Sequence, residues 1–293
     1  MIPLIRMVTT TFKQYVQMAR RYPAATLLAL ATFAVSLHIG YLDGRFAQAA
    51  GYLLAVVLGV FVTDMVVARR PRPTVGFPIK RPIAQEVAVI LGCTLLGLAY
   101  LAIHFSAVGQ TMPRSERLAF FPILALFTFP VALALIYLLH YRYKPSELGI
   151  KLRYLYLPLL VLLIFGAITF WVAPEKSHWR SFFLQFGVRG WLFSALLGAA
   201  LSEEFTRMLL QTRLANAFRN ISLGFVAATF IWACLHIPIN HSQIQNATWM
   251  RAFLGAIGFM PEGFLWGYMT HRTKSILPAV LVHAFNLWGL VNF

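Results

Sequence analysis

The sequence predicts an all-α protein, a polytopic bundle of about eight or nine transmembrane helices, and three observations predict it. First, 59% of the 293 residues are hydrophobic and only 12% are charged, against about 25% charged in an ordinary soluble domain. The mean hydropathy is +0.71, and no soluble fold hides that much apolar surface. Second, apolar windows near the ~20 residues that cross a ~30 Å hydrocarbon core recur along the whole chain, each bounded by charge or proline. Third, the Lys and Arg residues fall mainly on alternate connections, as the positive-inside rule requires.

Taken in order, the predicted spans are Tyr22 to Tyr41, Phe46 to Ala68, Ala84 to Ser106, Leu118 to Tyr141, Leu155 to Ala173, Phe186 to Leu214, Ile221 to Ile237, Ala252 to Thr270 and Ile276 to Val291. The last is short for a full crossing. The first follows a polar and basic lead-in and runs into a second span without a small-residue cleavage site, so it reads as an uncleaved targeting signal. Between the second and third, Arg69 to Pro82 carries four prolines and five basic residues, the composition of a loop near anionic headgroups. Cys93 and Cys234 both sit inside predicted spans, where neither a disulfide framework nor a zinc-finger spacing is expected.

The formal net charge is +16, which in a soluble protein raises nucleic acid as a partner. Position decides otherwise. With the N-terminus cytoplasmic, 17 of the 25 Lys and Arg residues fall on the inner side and 7 on the outer, and Arg207 lies within a span. The basicity is therefore topogenic, nucleic acid is not expected, and membrane lipids are the surrounding partner. The expected location is a bacterial inner membrane.

The chain divides near Lys151. Residues 1–150 read as scaffold helices, because Asp64, Glu86 and His104 lie near predicted span ends and can snorkel to the interface. No internal repeat argues for an inverted-repeat transporter. Residues 151–293 read as the catalytic half of one continuous membrane domain. Ionisable groups there fall inside the spans, where a charge costs at least ~2.5 kcal/mol and needs a functional or packing reason.

Three clusters supply candidates. In Ser202-Glu203-Glu204-Phe205-Thr206-Arg207, Glu203 and Arg207 are four apart and Glu204 and Arg207 three apart, so the arginine can neutralise one carboxylate while the other accepts a proton. In Trp232-Ala-Cys-Leu-His236, the aromatic and the histidine share a helix face, and Pro238 marks the helix end. In His283-Ala-Phe-Asn286 the spacing again places both polar side chains on one face, where an amide can orient an imidazole or hold a reacting oxygen. Each has a plainer reading: an ion pair that locks packing, a satisfied core histidine, an interhelical hydrogen bond. Together, two carboxylates, an arginine, two histidines and an amide make an acid, base and oxyanion set for hydrolysis.

These residues resemble the CPBP intramembrane proteases, the family of type II CAAX prenyl endopeptidases and bacteriocin-processing enzymes. That family has two glutamates, three residues and an arginine, then an aromatic with His four residues on, then His with Asn or Asp four residues on. Arg207-Met-Leu-Leu-Gln211 is similar to the usual continuation of the first motif, and Ser146-Glu-Leu-Gly-Ile150 to a short motif that often precedes the catalytic half. Here only two residues separate Glu204 from Arg207, Trp232 stands where Phe is usual, and Asn286 follows His283 by three. The first departure leaves open which glutamate is the base. The resemblance implies that a glutamate and His236 activate water, His283 and Asn286 stabilise the oxyanion, and Arg207 holds the glutamate pair. The implied substrate is a membrane-associated peptide or lipidated protein. No obligatory cofactor is expected; two histidines and a glutamate can ligate zinc, which is not favoured because no His-Glu-x-x-His signature is present. The alternatives are a proton-coupled transporter using Glu203, Glu204 and Glu262, and a non-catalytic membrane scaffold or immunity protein.

Overall fold

The computed structural model describes residues 2–68, 77–106, 130–172, 187–243 and 248–286, and every regular element among them is helical. In chain order these are α1 (Ile2–Arg21), α2 (Pro23–Leu42), α3 (Phe46–Ala68), α4 (Ile83–His104), α5 (Val131–Leu135), α6 (Leu157–Val172), α7 (Trp191–Leu201), α8 (Ser202–Ala217), α9 (Ile221–Cys234), α10 (Ile237–Gln243), α11 (Trp249–Gly258), α12 (Met260–Thr273) and α13 (Leu277–Phe285). Helix α5 continues into a wider π-type turn, Ile136–His140, and α7 is wound the same way before running straight into α8.

Among the described residues, four helical stretches are long and apolar enough to cross a bilayer: Pro23–Leu42, Phe46–Ala68, Ile83–His104 and Ile221–Gln243, the last taking in α9 and α10. Val131–His140 and Leu157–Val172 are shorter apolar helices. The first half of the predicted span Leu118 to Tyr141 and the end of Ile276 to Val291 lie outside the described residues, as do Arg69, Arg70 and Arg72. The predicted span Ala252 to Thr270 is two helices, broken at Phe259. Pro261 explains the break, since it has no N–H to give and its ring crowds the preceding turn. The lead-in before the first span is itself the helix α1, whose Phe12 and Met18 are exposed.

Lipid-facing surface and core separate cleanly. Leu27, Leu95, Leu163 and Trp171 lie on the outside of α2, α4 and α6, an apolar exterior that only a bilayer makes favourable. Inside, Val56, Val161, Leu265 and Met269 join α3, α6 and α12, while Ile90, Tyr137, Leu148 and Leu209 join α4, α5 and α8. The protein is an integral membrane protein.

Two local devices position the helices of the second half of the chain. Helices α8 and α9 form a tight hairpin. Arg219 adopts a left-handed backbone (φ 52°), the Asn220 side chain accepts the Ser222 and Leu223 N–H groups at 3.0 and 3.1 Å, and a β-carbon on Gly224 would overlap the Ala215 backbone. The segment Pro145–Leu148 is a 3₁₀ turn closed by Gly149 at φ 80°, a conformation that favours glycine. The Gly149 carbonyl accepts the Ile276 N–H (2.9 Å), and the Lys151 carbonyl accepts the Ser275 hydroxyl (2.7 Å). The 146–150 segment thus holds the start of α13, which carries His283.

The scaffold acids do not snorkel. Glu86 is fully buried, and its carboxylate accepts from Arg213 Nε at 2.8 Å, Tyr143 at 2.5 Å, Tyr137 at 3.2 Å and the backbone N–H groups of Lys80 and Arg81. Asp64 accepts from Tyr15 (2.6 Å) and Tyr268 (2.8 Å) and pairs with Arg272 (2.9 Å). Partners from distant segments satisfy both charges inside the protein, so neither side chain needs to reach water. Tyr143 lies in the connection after the π-type turn. Burial and its hydrogen bond to Glu86 push its phenol up to about 12, which keeps it a donor.

Candidate active site

The two adjacent glutamates of α8 end in different environments. Glu204 is fully buried; its Oε2 is paired with the Arg207 guanidinium one turn on, and its Oε1 lies 3.1 Å from His283 Nδ1. Arg207 also donates from Nη1 to the Gly263 carbonyl of α12 at 3.1 Å. That approach requires bare backbone on α12: a β-carbon on Gly267 would overlap the guanidinium, and one on Gly263 would crowd Trp232. Glu203 points the other way. Its side chain is 26% exposed, and its Oε2 accepts the Trp232 indole N–H at 2.6 Å.

Both imidazoles come to that oxygen. His236 Nε2 and His283 Nε2 each lie 3.8 Å from Glu203 Oε2. His236 follows the end of α9, where the helix stops before Pro238. His283 sits on α13, held flat against Trp266 (ring centroids 3.9 Å apart, 12° between planes). The tautomers follow from the partners. His236 Nδ1 is 3.2 Å from the Trp232 carbonyl, and His283 Nδ1 faces a carboxylate; both partners only accept, so each Nδ1 carries the hydrogen in the neutral ring. Each Nε2 therefore presents a bare lone pair toward Glu203.

Trp232, His236 and His283 line a cavity of about 580 Å³, shared with Tyr52, Glu262, Trp266 and Asn286. A second pocket of only about 30 Å³ lies on the other side of Trp232, against Glu203 and Arg207. Among the described residues, no three His, Cys, Asp or Glu side chains are grouped so as to hold a metal ion.

Five of the six predicted site residues thus meet: Glu203, Glu204, Arg207, His236 and His283. Asn286 stands apart. It lines the cavity, but its Nδ2 donates to Glu262 Oε1 at 3.0 Å, so its amide serves that carboxylate and not the imidazole three residues earlier. Sequence reasoning included Glu262 only in the transporter alternative and missed Tyr52, whose hydroxyl accepts the Glu262 backbone N–H at 3.1 Å. The signal for Glu262 was available, since it is an acid inside a span like Glu203. Nothing in the sequence marks Tyr52.

Acids, imidazoles and a cavity thus come together within an apolar helical bundle. Residues 157–288, from the start of α6 to just past Asn286, match the family described as Type II CAAX prenyl endopeptidase Rce1-like. That stretch, 132 of the 293 residues, is similar to this CAAX protease family, as its motifs led us to expect. No curated protein and no solved structure matches the chain.

Proposed function

We propose that the chain is an intramembrane endopeptidase that hydrolyses a peptide bond of a membrane-associated or lipidated substrate, with residues 151–293 as its catalytic part and residues 1–150 as scaffold. One observation carries the reading: three lone-pair acceptors, Glu203 Oε2 and the two Nε2 atoms, converge within 3.8 Å beside a cavity. They are too far apart for direct hydrogen bonds, and with the carboxyl ionised and both rings neutral none has a hydrogen to offer. The group that satisfies them must bring hydrogens, and water does so. A slight opening gives a water ordinary hydrogen-bond lengths to Glu203 and to one imidazole at once.

Hydrolysis then proceeds as follows. The water oxygen adds to the substrate carbonyl carbon while its proton passes to Glu203, assisted by His236. The carbon–nitrogen bond breaks as that proton reaches the leaving amide nitrogen, giving a carboxylic acid and an amine, between which a proton then passes to leave carboxylate and ammonium. His283 Nε2, 3.8 Å from the same Glu203 oxygen, accepts the water's other hydrogen and so orients it. Arg207 neutralises Glu204, which leaves Glu203 as the base. In this reading the bundle has eight or nine crossings, lies in a bacterial inner membrane and has a cytoplasmic N-terminus.

The test is cleavage of membrane-anchored peptides by the purified protein in lipid, read by mass spectrometry of the products. The parent protein should release a defined pair of fragments, and Glu203→Gln should release none. Equal cleavage by both would remove the proposed base.

A further inference from the structure

The cavity opens at one end of the bundle. Its rim is polar, formed by Asp43, Arg45 and Gln48 at the α2–α3 turn and by Gln243 at the end of α10. Its lining also includes the buried Tyr52 and His283, and Glu262. An ion pair between Asp43 and Arg251 links the rim to the start of α11.

The basic connections gather at the other end. Gln48 and Asp64 are sixteen residues apart on α3, about 24 Å at helical rise, and Asp64 meets Arg272 there. Glu262 lines the cavity from the start of α12, and Arg272 is ten residues, about 15 Å, further along the same helix. Helix α8 repeats the pattern, with Glu203 at the site and Arg213 ten residues on, bound to Glu86. Lys80, which pairs with Glu147 at 2.5 Å, belongs to the same end through the backbone N–H that it gives Glu86. Tyr15 of α1 also reaches Asp64, so the N-terminal helix lies at that end too.

Positive charge marks the cytoplasmic ends of membrane helices. We infer that the site is loaded from the opposite, extracytoplasmic face, and that its substrate is a polypeptide anchored in the membrane with its scissile segment on that face, not a lipidated C-terminus presented from the cytoplasm. This rests on the endopeptidase reading for what is cut, but not for where the cavity opens. An extended segment enters between the polar rim groups, while its anchor stays in the bilayer beside the bundle.

Two measurements on the full-length protein test it. In a Cys93→Ala/Cys234→Ala background, Gln243→Cys and Lys144→Cys are treated with a membrane-impermeant maleimide in sealed right-side-out vesicles. Gln243→Cys should label at once, and Lys144→Cys only after the membrane is opened; the reverse pattern overturns the inference. Two single-span reporters then carry the same juxtamembrane segment on one side of the membrane or the other. Cleavage of the extracytoplasmic reporter alone, lost in Glu203→Gln, supports the inference, and cleavage of the cytoplasmic reporter alone overturns it. Cleavage of neither counts against the endopeptidase reading, while the labelling still decides which face the cavity opens to.

Discussion

Glu86 and Glu203 are both carboxylates within apolar helices of one bundle, and they are treated in opposite ways. Glu86 is saturated: an arginine, two phenols and two backbone N–H groups converge on it, and Arg213 spends its remaining donors on Thr212 and the Pro78 carbonyl. Glu203 accepts one indole N–H, stands near two imidazoles that offer it only lone pairs, and is partly exposed. An acid in a membrane helix is therefore not by itself a sign of chemistry. What distinguishes the two is whether the surroundings already supply every donor the charge needs.

That contrast predicts a graded set of effects. The largest belongs to the saturated network. Arg213→Ala leaves Glu86 buried without its cation, which costs about 3–5 kcal/mol, so the variant should lose most folded protein in a denaturant titration in detergent. Near-parental stability would mean that Glu86 is not held as described. Arg207→Ala should behave alike, because it strands Glu204 in the same way.

Next in size is Trp232→Phe. It keeps an aromatic ring where the family usually has Phe but removes the N–H that orients Glu203. A hydrogen bond to a charged group is worth about 1.5–3 kcal/mol, so turnover should fall about tenfold or more with the melting temperature nearly unchanged. Unaltered turnover would show that Glu203 does not need the indole.

A smaller effect is expected at the Pro145–Leu148 turn. The Lys144 backbone N–H and the Lys80 ammonium hold the Glu147 carboxyl below its usual range. A depressed carboxylate stabilises the folded state above the unfolded pKa of about 4.3 and loses that contribution as pH falls through its folded value. Glu147→Gln should lower the melting temperature slightly at neutral pH, with the difference from the parent vanishing in acid. A difference that persists there would assign the effect to packing. The smallest expected effect is of chelation. Cleavage should survive exhaustive removal of divalent metals; loss with chelator and recovery with zinc would replace the metal-free mechanism with a zinc-activated water.

Much of this was legible in the sequence, and the failures have physical reasons. The bundle class follows from hydropathy, and α3 matches its predicted bounds because charge or turn residues flank it on both sides. The span Ala252 to Thr270 was drawn as one because hydropathy continues straight through Phe259, although Pro261-Glu262-Gly263 interrupts it. Helix spacing put Glu203, Glu204, Arg207, His236 and His283 on candidate faces, but it offered Arg207 to either glutamate. Packing separates them, since Glu204 turns inward toward α12 and α13 while Glu203 turns toward Trp232. Asn286 was expected to orient an imidazole or hold a reacting oxygen, and its amide donates to Glu262 of α12, a partner between helices that a single sequence does not reveal. Glu86 was read as snorkelling because it lies near a helix end, when its ligands arrive from as far away as Arg213.

The most direct test sets the two neighbouring glutamates against each other. Glu203→Gln and Glu204→Gln, purified side by side in lipid, are compared for cleavage rate and melting temperature. Glu203→Gln should lose turnover and keep the parental melting temperature, because Gln preserves shape and still accepts the indole N–H but cannot take a proton from water. Glu204→Gln should be destabilised, because it leaves Arg207 buried without its counter-charge. Full turnover in Glu203→Gln, or loss of turnover confined to a stably folded Glu204→Gln, would contradict the assignment of Glu203 as the base.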